Sequence, residues 1–147
     1  MCKNFLSLEK YLEIGFFIRR NSKLGVTTVQ EIWADASITV NNHSNTLIAK
    51  SVAMPAGDYY LVEVSVQLLA VSENADGTTT YISLSVRDGS KLISVDRSFP
   101  LDYHNVQKSL FFMYWLSSGT KLELWVQTDK KRVSSNYLFR IYRLFTA

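Results

Sequence analysis

Asp58-Tyr59-Tyr60-Leu61-Val62-Glu63-Val64-Ser65-Val66-Gln67-Leu68 is the stretch that decides the fold. Tyr60, Val62, Val64, Val66 and Leu68 fall on one face, and Leu61, Glu63, Ser65 and Gln67 on the other. A period of two held over this length predicts a strand with one face on a core and the other largely in water. Pro55-Ala56-Gly57-Asp58, just before it, is turn chemistry that launches the strand.

The same pattern repeats on both sides. Ile82, Leu84 and Val86 alternate with Ser83, Ser85 and Arg87, and Asp88-Gly89 then predicts a hairpin returning through residues 92–95. Leu122, Leu124 and Val126 point inward from a strand that has Glu123 and Trp125 outside. The last strand, residues 137–145, places Tyr137, Phe139, Ile141 and Arg143 against Leu138, Arg140, Tyr142 and Leu144. Upstream, residues 26–33, 37–40 and 46–52 read as three further strands, rich in β-branched residues. One strand departs from the rule. Leu110, Phe112, Tyr114 and Leu116 lie on one face, Phe111, Met113 and Trp115 on the other, so both faces are apolar and both call for cover.

Many short strands, turn signals and no convincing helix after Pro55 predict an all-β sandwich of two antiparallel sheets. Residues 26–147 form that domain. Residues 1–25 are expected to be an N-terminal attachment segment, because Phe5, Leu8, Leu12, Phe16 and Phe17 make it too apolar for a free tail.

The chain has 147 residues and 47% hydrophobic side chains, enough for one domain with a proper core. Its net charge of +3 comes from 16 basic and 13 acidic side chains mixed along the chain, which argues against a nucleic-acid binder. Lys130-Lys131-Arg132 is the densest basic run and reads as a solvated hairpin loop. Cys2 is the single cysteine, so no intrachain disulfide forms. Glu9, Lys10 and Glu13 interrupt the first apolar residues, against a signal peptide, and no apolar run is long enough for membrane insertion.

Catalytic chemistry is not indicated. His43 and His104 sit in polar loop contexts without ligand-spaced partners, and neither a nucleophile elbow nor a phosphate loop is present. Glu73, Asp76, Asp88 and Asp129 fall in predicted turns, where backbone chemistry explains them better than calcium does. The expectation is no enzyme, no cofactor and no metal.

Met54-Pro55-Ala56-Gly57-Asp58-Tyr59-Tyr60-Leu61 resembles the strand entry of the complement globular-head and tumour-necrosis-factor-like family. Leu84-Ser85-Val86-Arg87-Asp88-Gly89 is similar to that family's hairpin. Ser118-Gly119-Thr120-Lys121-Leu122-Glu123-Leu124-Trp125 is similar to a later segment, with Thr120 where the family usually has an acidic residue. Residues 137–144 sit where the family's closing strand ends. The resemblance covers about residues 50–147. It implies a jelly roll assembled as a homotrimer, and binding rather than catalysis. Phe111, Met113 and Trp115, with Tyr142, are then the candidates for the subunit interface.

Without a collagen-like stalk, such trimers look most like bacteriophage virion parts: head fibres, decoration proteins or tail-fibre tips. That reading makes the chain a virion structural protein, made in the host cytoplasm. Its N-terminal segment would dock on capsid or tail proteins, and a host cell-surface glycan or protein would be a further partner. The alternative is a carbohydrate-binding or signalling ligand module, for which Trp33 and Tyr103 are the candidate contacts.

Overall fold

The computed structural model describes residues 24–41, 43–74 and 76–146. Phe5, Leu8, Leu12, Phe16 and Phe17 lie outside them. Eight strands follow one another: β1 (Leu24–Val40), β2 (Asn45–Lys50), β3 (Asp58–Ala70), β4 (Ile82–Asp88), β5 (Lys91–Ser98), β6 (Val106–Leu116), β7 (Glu123–Thr128) and β8 (Arg132–Thr146). They form one sheet in the order β1-β8-β3-β6 and a second in the order β2-β7-β4-β5. Every strand pairing is antiparallel. First paired with last, and successive strands alternating between sheets except for the β4–β5 hairpin, is the jelly-roll arrangement, so the expected fold is the observed one.

The decisive stretch behaves as its periodicity predicts. Tyr60, Val62, Val64, Val66 and Leu68 are all fully buried. They meet Phe112, Ile141 and Phe139 from their own sheet, and Ile82, Leu84, Val86, Leu124 and Val126 from the other, in one core. Burying each such side chain contributes roughly 1.5–3 kcal/mol, and β3 supplies a continuous row of them. The Tyr60 hydroxyl donates to the Ala56 carbonyl, which ties the launching turn to the strand it starts.

Three expectations need correction. Residues 26–33 and 37–40 are not separate strands. β1 runs unbroken against β8, and register shifts between Thr28 and Gln30 and between Asp35 and Ile38 absorb the extra residues. Asp35 stays within the strand, because an edge strand tolerates polar residues that face water. Ser83 and Ser85 are not wet. They are 7% and 4% exposed, because each is a small side chain set between large cross-strand neighbours, Arg97 and Gln127 for one, Val95 and Trp125 for the other.

The third correction concerns the basic run. Arg132 is 1% exposed and belongs to the interior, not to a solvated loop. Its guanidinium donates to the carbonyls of Leu101 (3.1 Å), Asp102 (3.5 Å) and His104 and to Thr80 Oγ1 (3.2 Å). Lys130 Nζ bridges Asp76 (2.7 Å) and the fully buried Asp102 (2.9 Å), and Lys131 pairs with Glu73 at 3.1 Å. The three cations therefore fasten the β3–β4 and β5–β6 connections to the start of β8.

The open edge between the sheets is closed by charge. Lys108 on β6, 6% exposed, reaches Asp96 on β5 at 2.7 Å. Both are edge strands, and inward-pointing charges on edges discourage pairing with foreign strands.

Candidate functional site

The outer face of the β1-β8-β3-β6 sheet can be read row by row from the strand registers. Val26, Leu144, Tyr59 and Trp115 form the first row, and Thr28, Tyr142, Leu61 and Met113 the second. Glu31, Arg140, Glu63 and Phe111 follow, then Trp33, Leu138, Ser65 and Ser109. All four interface candidates, Phe111, Met113, Trp115 and Tyr142, thus share this face. So does Trp33, singled out separately as a ligand contact.

The face is apolar and open. Trp33 is 67% exposed, Val26 54%, Tyr59 52%, Trp115 52% and Phe111 50%. Met113, at 3%, is buried between its larger neighbours, so the second cover that the sequence called for on β6 is complete only there. Leu138 and Leu144 are likewise buried on this face, outside the main core cluster. Four strands at about 4.8 Å and some seven residues at about 3.4 Å give a face on the order of 450 Å². Apolar patches of that size on monomers are often contact sites. The third row puts charge in the middle. Arg140 stands 3.8 Å from Glu63. Its pKa is raised, first by its hydrogen bond with the Tyr142 side chain and then by Glu63 and Glu31, against the opposing effect of burial.

Tyr103 is elsewhere, 53% exposed in the β5–β6 connection, with Phe99 nearby in sequence at 66%. The Tyr103 and His104 rings meet edge to face at 4.6 Å, and the Phe99 and Tyr81 rings tilt together at 5.7 Å. This pole is held by the Arg132 guanidinium, whose pKa burial lowers while Asp102 and Asp129 work against the shift. The Asp76 carboxyl is held well below the usual carboxylate range by Asp102, the Lys130 ammonium and Thr78. Lys130 is raised in turn by Asp76 and Asp102. Its ammonium occupies the place between these carboxylates that a metal cation would need. Among the described residues no group of three or more His, Cys, Asp or Glu side chains could hold a metal ion.

The opposite pole carries a cleft of about 500 Å³ between residues 27–29 of β1, the β2–β3 connection at Val52, Ala53 and Pro55, and Arg143 of β8. Gln30 adjoins it. That side chain is 6% exposed, and its Oε1 accepts from the Val52 N–H at 2.8 Å. Its Nε2 finds no acceptor among the described residues.

Sequence reading missed Gln30, Arg132, Tyr59 and Phe99. Tyr59 could have been found, since it precedes the inward Tyr60 and so points out. Gln30 could not, because only the register shift at Val29 turns it inward.

No family model matches the chain, and no curated protein matches it. Solved structures do. The VP2 subviral particle of infectious bursal disease virus aligns with a TM-score of 0.45 and 7% identity, over 82% of this chain and 32% of that one. A Bacillus endospore appendage, from a family of disulfide-linked pili, aligns at 0.42 and 10%, over 84% and 92%. The EclA C-terminal domain, a sugar-binding protein, aligns at 0.39 and 18%, over 76% and 78%. This chain spans about a third of the viral capsid proteins it matches.

Proposed function

We propose that this chain is a non-enzymatic virion structural protein, a homotrimeric jelly roll whose copies meet through the outer face of the β1-β8-β3-β6 sheet. One observation carries the reading: Val26, Trp33, Tyr59, Phe111 and Trp115 are each at least half exposed on that single face. A solvated sheet face normally alternates with polar residues, whereas interface cores concentrate aromatics and exclude charge. The Glu31-Arg140-Glu63 row then fixes register, because each charge must meet its complement in the neighbouring copy. Residues 1–25 serve as the attachment segment toward capsid or tail proteins, through Phe5, Leu8, Leu12, Phe16 and Phe17. The pole bearing Tyr103 is left for the host cell surface.

The second reading, a carbohydrate-binding module, draws on that pole. Tyr103 and Phe99 are exposed on a connection whose carbonyls Arg132 holds in place, and a rigid aromatic platform suits the apolar face of a sugar.

Light scattering coupled to size exclusion tests the first reading. The expected solution mass is near three times the 16.8 kDa chain. Trp115→Asp is expected to lower that mass to one chain while the β-sheet circular dichroism stays. A wild-type monomer, or a variant that only unfolds, overturns it.

A further inference from the structure

The outer face of the β2-β7-β4-β5 sheet can be read from its registers in the same way as the first. Lys50, Glu123, Arg87 and Leu92 form one row, Leu47, Trp125, Ser85 and Val95 the next, and Asn45, Gln127, Ser83 and Arg97 the third. Ser83 and Ser85 are the low floor of this face, and Trp125, partly exposed, stands beside them. The face is mixed in character: a strip of apolar surface through Trp125 and Val95, with guanidinium groups on either side of it.

The charges of this face are not balanced from within. Of the described arginines, Arg132 is held by main-chain carbonyls, Arg140 by Glu63 and Arg143 by Asp58. Arg87 and Arg97 differ. Among the described residues neither has an ion-pair partner or a side-chain hydrogen bond, and both stand on this one face. Arg87 is also partly buried, with its Nε enclosed and unmet. A guanidinium kept in that condition calls for an anionic acceptor. The one carboxylate in the three rows, Glu123, is taken by Lys50 at 3.8 Å. Lys50, Arg87 and Arg97 against Glu123 leave the rows at a net +2, whereas Glu31 and Glu63 against Arg140 leave the outer face of the other sheet at −1.

The spacing of the two guanidinium groups selects the kind of anion. Arg97 is opposite Ser83, four residues from Arg87 along β4, so their Cα atoms are roughly 14 Å apart. A nucleic-acid strand carries a charge about every 3.4 Å along its axis, far denser than these cations. Between them lies the Trp125 row, whose indole suits the C–H face of a sugar ring better than it suits a phosphate.

We propose that this face binds an anionic polysaccharide, a linear chain of pyranoses with carboxylates on alternate sugars. Arg87 and Arg97 each take a carboxylate, and a ring between them lies on Trp125. The face is on the far side of the sandwich from the assembly face and is complete within one copy, so it works in a monomer. A trimer would present it three times, which strengthens retention on a polymer without any new contact.

The test is a two-dimensional amide NMR titration of the full-length protein at about 0.15 M salt, where long-range charge attraction is screened. The probes are a hyaluronan octasaccharide, which has one carboxylate per disaccharide, neutral maltooctaose, and a thymidine oligonucleotide of eight units. Saturable shifts are expected at Ser83, Arg87, Val95, Arg97 and Trp125 with hyaluronan, and binding at least about tenfold weaker with the other two. Arg97→Gln, at an exposed position, and Arg87→Gln are each expected to weaken hyaluronan binding by about three- to tenfold, the range of one lost charged contact. Lys10→Gln removes the same charge from the N-terminal segment and is expected to change binding by less than about twofold. Should Arg87→Gln fail to fold, Arg97→Gln and Arg97→Glu decide. Equal binding of maltooctaose overturns the proposal, since the arginines would then play no part. Equal or tighter binding of the oligonucleotide makes the partner a nucleic acid and overturns it too. So do the absence of saturable shifts, shifts confined to the other outer face or to the Tyr103 pole, and full binding by the folded Arg97 variants.

Discussion

Replacing Arg132 with Met separates a buried fastener from a solvated basic loop. The guanidinium is 1% exposed and donates to three main-chain carbonyls and a threonine hydroxyl. The contacts to His104 and Leu101 are well formed, those to Thr80 and Asp102 are longer. Hydrogen bonds to a charged group contribute about 1.5–3 kcal/mol each, so the two better ones represent roughly 3–6 kcal/mol gross. Methionine relieves the cost of burying a charge, and that relief offsets part of the loss. It also strands the freed carbonyls. The net expectation is about 3 kcal/mol of destabilisation, the lower end of what breaking a buried charged contact costs. At an m-value of about 2 kcal/mol/M, the urea midpoint falls by about 1.5 M. Equilibrium unfolding followed by tryptophan fluorescence, at one fixed protein concentration so that assembly does not confound it, reads this directly. A surface residue would change stability by no more than about 0.5 kcal/mol, or about 0.25 M. A midpoint shift below about 0.5 M at that same m-value refutes the reasoning.

The Lys130 clamp sets a pH window. Asp76 is depressed in the fold, so its contribution is complete above its ordinary value of 3.8 and is lost as pH falls through the lowered one. Lys130 is raised from 10.5, so its contribution is present below that value and lost as pH climbs through the raised one. Urea midpoints measured across pH are expected to show no pH dependence from the clamp between these limits, where its contribution is complete, and Asp76→Asn is expected to flatten the acid limb. Asp96→Leu alone leaves Lys108 buried without its partner and is expected to cost about 2–4 kcal/mol. Combining it with Lys108→Met restores most of that, and a denaturation double-mutant cycle checks the coupling. Gly57→Ala probes the outer face gently. Its new methyl stands 3.1 Å from Trp115 Cζ2, so the indole must shift, and trimer dissociation measured by dilution light scattering is expected to become about three- to tenfold easier, with the core untouched.

Period-two alternation gave β3, β4, β6, β7 and β8 because each of these strands puts a full row of side chains into one core. Asp88-Gly89 marked its hairpin because Gly89 takes a φ of 58°, which few other residues accept. β1 was broken in two because a bulge has no composition of its own. The outer face of the β1-β8-β3-β6 sheet was half legible. Phe111 and Trp115 stood out within one strand, but joining them to Trp33 and Val26 requires knowing that β1 and β6 are opposite edges of the same sheet. Arg132 was misread for a different reason. A cation's partners there are backbone carbonyls some thirty positions away in sequence, and carbonyls carry no sequence signature.

The pairing of β1 with β8 also has a mechanical meaning. The two strands run antiparallel from Leu24↔Thr146 at one pole to Val40↔Arg132 at the other. A pull applied at residue 24 and resisted at the pole that carries Tyr103 therefore runs along β1, parallel to its length. Loaded this way the ladder is in shear, and its hydrogen bonds must yield together, not one at a time as in a zipper. A molecule stretched between a particle and a surface would resist most strongly along that axis. Pulled instead from residues 24 and 146 together, the same ladder would open bond by bond from its end.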